Sequence, residues 1–427
     1  MNLDCYDIIG IGIGPFNLSL AALTQPTELR TLFVDRKPEF AWHPGMQIAG
    51  TEVQVPYLAD LVTMVDPTSP WSFLNYLRHK GRLFPFFFAE RWHVPRIEYQ
   101  DYCAWAASQI PSCRFGANVT SCGWDSQREA FVVEIGGETV FARNVVLGVG
   151  TEPTIPDAFR GTLGDRVLHS ADYLTRRPAL RDSPDVTVIG SGQSGAEVFL
   201  DLLQVRAPQH LRWITRTDAF APMEYSKLGL EHFTPEYTTY FHSLPEPARR
   251  RAVARQWQLY KGISARTIGD VFDELYDRRV AEHTSGTELS PGVEVIAAHQ
   301  VVDGIEMTCR HRQTEREYVV RTDHVVLATG YSPVRPAFLD ALEGLIDWDE
   351  RDQYRIDLNY RVGTDRSVTG GLYVQNAEMH THGVGAPDLT LGAWRAAVIV
   401  NAVSGRPVIP LPEDNAFTSF VPPDSAP

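Results

Sequence analysis

No CxxC pair occurs in the sequence, and its five cysteines, Cys5, Cys103, Cys113, Cys122 and Cys309, are scattered and odd in number. That excludes a disulfide framework and points to a reducing compartment with free thiols. Basic residues are in short supply: 39 Lys and Arg stand against 53 Asp and Glu, a formal charge of −14. A protein that tracks nucleic-acid phosphates needs the opposite sign, so that class is set aside. Long uncharged apolar runs are missing too, so nothing reads as a membrane-spanning helix. The opening, MNLDCYD, carries acid where a leader peptide carries positive charge, and the expected location is the cytoplasm. No solenoid repeat is present.

What remains is an ordinary globular composition, 44% hydrophobic and 22% charged, over 427 residues. That length predicts two or three domains with a core large enough to need no disulfide. A buried strand from Tyr6 to Ile11 runs into a glycine turn and an apolar helix, Phe16 to about Leu23. The strand Thr31 to Val34 follows and ends at Asp35. Ser69 reads as an N-cap, with Pro70 at the first position of a helix WSFLNYL, and a second helix spans roughly Glu98 to Gln109. FVVEI and Asn144 to Gly150 read as strands. The strand, turn and helix pattern restarts at Val186, 178 positions on from Gly12 to Gly190, and its next strand ends at Arg216. Irregular and then helical chain fills 218–285, strands resume at Val293 and end in LATGY, and a helix starts near Leu389. The Pro-rich tail after Arg406 reads as loosely attached.

The first turn is Gly12-x-Gly14-x-x-Asn17, with Gly10 upstream. Gly12 permits the tight turn, Gly14 lets a diphosphate approach the backbone, and the helix N-terminus supplies free N–H donors. Asn17 takes the place of a third glycine, which predicts looser helix–strand packing there. Asp35 stands where a ribose-binding acid belongs. The second turn, Gly190-Ser191-Gly192-Gln193-Ser194-Gly195, is complete, but its following strand ends in Arg216 instead of an acid. An arginine attracts a 2′-phosphate that a carboxylate repels, which favours NADPH. The overlap with a GxSxG nucleophile elbow is discounted, because no triad follows from it. His380 and His382 lack a third ligand at familiar spacing, so no metal is expected. The fold class is therefore α/β, with two Rossmann-like dinucleotide-binding domains and a smaller helical substrate region. The boundaries read as 1–165 and 320–427 for FAD, and 166–319 for NADPH, the latter including the helical region 218–285.

The segments GIGIGPFNLSLAAL, WHPGM, DLVTMVDPTSPWSFLNYL, GSGQSGAE, FTPEY, LATGY and THGVGAPDLTLGAWR together resemble one family over nearly the whole chain. That family is the flavin-dependent N-hydroxylating monooxygenases of siderophore biosynthesis. The resemblance implies FAD and NADPH as cofactors, dioxygen as co-substrate, and hydroxylation of a neutral amine by a C4a-hydroperoxyflavin. The cofactor does the hard chemistry while the protein orients the amine and excludes water. It also implies roles. Gly12, Gly14, Pro15, Phe16 and Asn17 match the FAD diphosphate loop and Asp35 the ribose acid. Trp42, His43 and Gln54 match positions lining the flavin, Gln54 near its reactive face. Gly190, Ser191, Gly192, Gln193, Ser194, Gly195 and Arg216 match the NADPH site, and Thr390 a position near substrate and flavin. A homo-oligomer is implied as well, tetramers being frequent in the family.

Two positions break the family pattern. Lysine and ornithine hydroxylases hold the substrate carboxylate with a lysine in a segment like FLKDLV, where this chain has Tyr57-Leu58-Ala59-Asp60-Leu61-Val62. A second polar head-group contact, three residues before the Phe of the FTPE-like motif, is Leu230 here. A carboxylate buried against Ala59 and Leu230 would lose its charge partner, at a cost of roughly 3–5 kcal/mol. A diamine, cadaverine or putrescine, carries no such group. Its distal ammonium still needs a partner, for which Asp388 and Glu224 are the candidates. The alternatives are a lysine or ornithine monooxygenase in which Lys227 supplies the missing charge, and a non-catalytic flavin-binding protein. A flavin disulfide reductase would need the absent CxxC.

Overall fold

The computed structural model describes residues 5–206, 210–281 and 286–421. Asp4 and the end of the expected helical stretch near His283 lie outside the described residues. The architecture is α/β, built on two parallel-centred sheets.

At the centre of the first sheet is Cys5–Ile11, paired in parallel with Thr31–Val34 on one side and Glu138–Leu147 on the other. Glu138–Leu147 is long enough to serve two further neighbours. Its first half pairs antiparallel with Ala130–Ile135, and its second half runs parallel to Gly371–Val374. The chain end is thereby sewn into the same sheet as the chain start. Apolar residues cover the helix Pro15–Thr24 on every side, which suits an element buried all round, and Gly392–Ser404 packs on it. A left-handed C-cap at Gly405 stops that last helix.

The second sheet is fully parallel, in the order Val167–His169, His324–Leu327, Asp185–Ile189, His210–Ile214, Thr287–Ser290. His324–Leu327 therefore belongs to the second unit, beyond the boundary at 319 expected from sequence. Periodicity marks a buried strand but cannot say which sheet takes it. Between the sheets the chain passes twice, through the paired strands Thr151–Pro153 and Tyr331–Pro333. The 218–285 stretch carries the helices Pro235–Ser243, Glu246–Arg255, Trp257–Lys261 and Ala265–Val280. No described helix is long and apolar enough to cross a membrane.

Other local expectations shift. The expected WSFLNYL helix begins at Phe73, and its cap is Ser72, whose hydroxyl accepts the Asn75 N–H at 3.3 Å. Ser69 is used one turn earlier, on Trp71, and the buried Asp60 carboxylate takes the Phe73 N–H at 2.7 Å. The Leu389 start is a single 3-10 turn, and the α-helix begins at Gly392. The tail is not loose over its described part. Asn401 binds Val408 and Ile409, Glu231 accepts the Phe417 and Thr418 N–H groups, and Phe420 packs on Tyr237 and Tyr240.

Candidate functional site

Both glycine turns rest on the same device. Gly12 has φ +88°, and a Cβ there would overlap the Gly148 carbonyl. Gly190 has φ +125°, and a Cβ there would overlap the Ala328 carbonyl. Each turn is thus pressed against the strand that crosses beside it. The second glycine of each faces outward. Nothing lies within 4 Å of a Cβ built on Gly14, and only the Lys261 carbonyl, at 3.6 Å, approaches one on Gly192. A phosphate-sized group can reach the backbone at both places.

Asn17 corrects the expectation of loose packing. It is fully buried, donates to the Gly12 carbonyl at 2.8 Å and accepts from Gln375 at 2.7 Å. Gly148 leaves the room for it, since a Cβ on Gly148 would strike the Asn17 amide. Asn17 therefore braces the turn from behind, and its amide faces the protein. Phe16 lies under the Arg395 guanidinium at 4.4 Å, and Arg395 pairs in the core with Glu378. Asp35 accepts from the N–H groups of Ile13 and Lys37, both at 2.9 Å. A carboxylate has about four acceptor positions, so two remain for a ribose.

Trp42 and His43 stand just before the 3-10 turn Pro44–Met46 and Gln54 lies on the strand Glu52–Pro56, which together form the wall expected to carry the flavin. His43 sits in a left-handed conformation, φ 45°, edge-on to Trp42 at 5.1 Å and Tyr331 at 5.6 Å. Burial, with Arg96 and Lys37 adding to it, lowers its pKa to about 4, so the ring is neutral. Gln54 Nε2 and Gln47 Oε1 are buried without a hydrogen-bond partner. Buried amides are normally satisfied, so this wall suits a polar heterocycle that would pair with them. The open face at Gly14 and these unpaired amides fit an isoalloxazine-bearing dinucleotide.

At the second turn Gln193 is consumed by the protein, joined to Glu197, Thr267 and the Ser264 N–H. Glu197 in turn makes a bidentate pair with Arg96 of the first unit, at 2.7 and 2.8 Å. That tie between the units was invisible in the sequence, since its ends are 101 residues apart. Arg216 is exposed, with Lys261 close enough for each to feel the other. Burial, and secondarily Arg216, lowers the Lys261 pKa. Lys261 is a second cation at this turn that no motif announced.

Among the residues expected to face the substrate, Ala59 is buried, and Tyr99, tilted against Trp42 at 5.2 Å, lies within electrostatic reach of both Asp60 and Asp388. Asp388 is half-buried and caps Thr390 through the Thr390 N–H at 2.8 Å. Burial raises its pKa. Tyr225, also near Asp388, went unnoticed in the sequence. Glu224 is separated from this group: it is exposed and accepts the Ser226 N–H at 2.8 Å, which turns it toward solvent. Leu230 is 40% exposed on the 3-10 turn Gly229–Phe233, and Lys227 is exposed. His382 is stacked on Tyr360 at 4.2 Å and His380 binds the Tyr354 carbonyl, and no metal-binding cluster occurs among the described residues.

A family model described as L-lysine 6-monooxygenase/L-ornithine 5-monooxygenase matches residues 4–333. A putrescine N-hydroxylase of Shewanella oneidensis is 40% identical, over 98% of this chain and 84% of its own length. The crystal structure of FAD-bound DfoA, the cadaverine monooxygenase of the desferrioxamine pathway in Erwinia amylovora, superposes with a TM-score of 0.93. It is 38% identical and covers 98% of this chain and 99% of its own. The ornithine N-hydroxylase of Kutzneria sp. 744, with reduced FAD, NADP⁺ and L-ornithine, gives a TM-score of 0.88 at 27% identity, covering 94% and 99%.

Proposed function

Because the chain belongs to the L-lysine 6-monooxygenase/L-ornithine 5-monooxygenase family, we propose that it N-hydroxylates an aliphatic diamine, cadaverine or putrescine, for a hydroxamate siderophore. FAD, reduced by NADPH, supplies the activated oxygen that the neutral amine attacks. The protein's part is binding and placement.

In this reading the first unit holds FAD, with its diphosphate at Gly12 to Asn17, its ribose at Asp35 and its ring against Trp42, His43 and Gln54. Gln54 and Gln47 find their missing partners there. A neutral His43 adds no charge beside the ring. The second unit holds NADPH at Gly190 to Gly195, with Arg216 and Lys261 at the 2′-phosphate. The buried Arg96–Glu197 tie keeps the two turns in register. Thr390 and Asp388 stand on the substrate side. The protein works as a homo-oligomer in the cytoplasm.

One observation carries the choice of substrate. Tyr99 has the carboxylates of Asp60 and Asp388 within electrostatic reach, beside the Cys103 thiol, and the residue at the family's lysine position is the methyl of Ala59. Asp60 is occupied by the N–H groups of Val62, Thr63 and Phe73, whereas the Asp388 carboxylate takes the Thr390 N–H on one oxygen and keeps acceptor positions for a distal ammonium. An amino-acid carboxylate would meet like charge there. Product-detected hydroxylation of cadaverine, putrescine, lysine and ornithine tests this by kcat/KM. Ala59→Lys should shift preference toward lysine or ornithine, by attracting the carboxylate and repelling the diamine's second charge. Wild-type preference for an amino acid overturns the diamine reading.

A further inference from the structure

The helices Pro235–Ser243 and Glu246–Arg255 lie in the chain between two strands of the second sheet, His210–Ile214 and Thr287–Ser290. In space they pack on Met379–His382 of the first unit. His242 Nε2 bonds the Ile356 carbonyl at 2.9 Å, and a Cβ on Gly383 would stand 3.1 Å from the Phe241 ring. Phe233, Tyr237, Phe241, Leu259 and Val384 form one buried cluster across this contact. Its ends lead to working positions of both units. Leu230 stands three residues before Phe233, Lys261 two after Leu259, and Asp388 four after Val384.

The tail returns to this same cluster. The buried Glu231 carboxylate accepts the Phe417 N–H at 3.1 Å on one oxygen and the Thr418 N–H at 2.8 Å on the other. Glu236 accepts the backbone and side-chain N–H groups of Asn415 at 2.7 and 2.9 Å. The Phe420 ring lies 5.0 Å from Tyr237, 5.8 Å from His232 and 6.0 Å from Tyr240. The Phe417 side chain is 98% exposed, so at that point the carboxylate reads backbone alone. A buried carboxylate is costly unless hydrogen-bonded, and the tail supplies those bonds to Glu231. We propose that Glu231 is a positioning residue for the hydroxylation. By gripping residues 412–421 it straps the helices beside Leu230 to the flavin unit, so the substrate wall stays fixed on that unit. The proposal rests on the N-hydroxylase reading above. A wall held in place spends activated oxygen on the amine and keeps it from side reactions.

Hydroxylation of an amine takes one NADPH, one proton and one O2, and leaves NADP⁺, water and the hydroxylamine. Oxygen reduced by NADPH with no amine in place leaves as hydrogen peroxide. The test measures both products in FAD-loaded, full-length protein with the amine that the wild type prefers. The variants are Glu231→Ala, Thr418→Pro, the two combined, and Phe417→Ser. Thr418→Pro deletes an N–H that Glu231 accepts, whereas Phe417→Ser alters an exposed side chain and keeps both N–H groups. Glu231→Ala and Thr418→Pro should each raise the amine KM roughly 10-fold, the worth of a hydrogen bond to a charged group. Both should divert NADPH from hydroxylamine to peroxide, with flavin content and KM for NADPH unchanged. The combined variant should be no worse than Glu231→Ala, since both changes remove one contact. Phe417→Ser should match the wild type. If Glu231→Ala fails to load flavin, a chain ending at Leu411 gives the same readouts and keeps the Asn401 bonds to Val408 and Ile409. Wild-type amine KM and coupling in Thr418→Pro and in the shortened chain overturn the strap alone. So does a loss of flavin and stability with coupling intact in the loaded fraction. A wild type that forms no hydroxylamine from any of the four amines overturns the reading beneath it.

Discussion

The two glycine turns share a backbone and differ in everything around it. In each, a positive-φ glycine is pinned by a carbonyl from a crossing strand, and the next glycine faces open space. At the third position the first turn has Asn17, bonded to Ile11, Gly12, Val146 and Gln375, where the second has Gly195 against the Gly190 carbonyl. The strand after the first turn ends in a buried acid, and the strand after the second in an exposed arginine beside Lys261. The backbone device is thus shared, and the two turns differ in the charge at the end of the strand that follows, where a dinucleotide's ribose is expected.

The largest effect should come from the pinned glycines. Gly12→Ala and Gly190→Ala each force a side chain into positive φ and against a backbone carbonyl, which should cost roughly 3–5 kcal/mol. Denaturant unfolding measures it, and an unchanged midpoint for Gly190→Ala would mean that the crossing strand does not sit on the turn. Gly14→Ala sharpens the contrast. Its methyl enters open space, so the apoprotein should keep its stability within about 1 kcal/mol while purifying nearly colourless. Full yellow occupancy would show that no diphosphate lies there. At the second turn, Arg216→Ala should raise KM for NADPH by about 10–100-fold, the worth of one charge-assisted contact, and hardly move that for NADH. Lys261→Ala should act in the same direction and less. Equal changes for both nucleotides would erase the distinction between the turns.

The smallest effect is one of pH. The lowered Lys261 pKa means that this lysine is charged at low pH and loses its proton earlier than an ordinary lysine as pH rises. Preference for NADPH over NADH should therefore weaken on the alkaline side, and Lys261→Gln should flatten that slope. An unaltered profile in Lys261→Gln would leave Arg216 alone at the phosphate.

Legibility followed sequence separation. Strand, turn and helix at Cys5–Thr24 and at Asp185–Arg206 were readable because each depends on residues a few positions apart. The tail was misjudged for the opposite reason. Proline content predicts a free end, yet the carboxylates of Glu231 and Glu236, about 180 residues earlier, accept its backbone and side-chain N–H groups. Ser69 failed as a cap because Ser72 and the distant Asp60 took the helix start. Asn17 looked like a gap in a glycine pattern and is instead a buried brace, since Gly148 and Gln375 complete it from other strands.

By itself, then, the sequence determined the two glycine turns, the acid after one and the arginine after the other, and an alanine where the family pattern has a lysine. These are matters of residue type at short spacing, where φ, side-chain volume and formal charge are already decided. Only the tertiary structure decided that His324–Leu327 joins the second sheet, that Arg96 grips Glu197, that Lys261 stands by Arg216, and that Asp388 is sheltered while Glu224 is spent at the surface. Burial and partnership depend on chain segments a hundred or more residues away, and a carboxylate's worth to a bound ammonium is set by that burial.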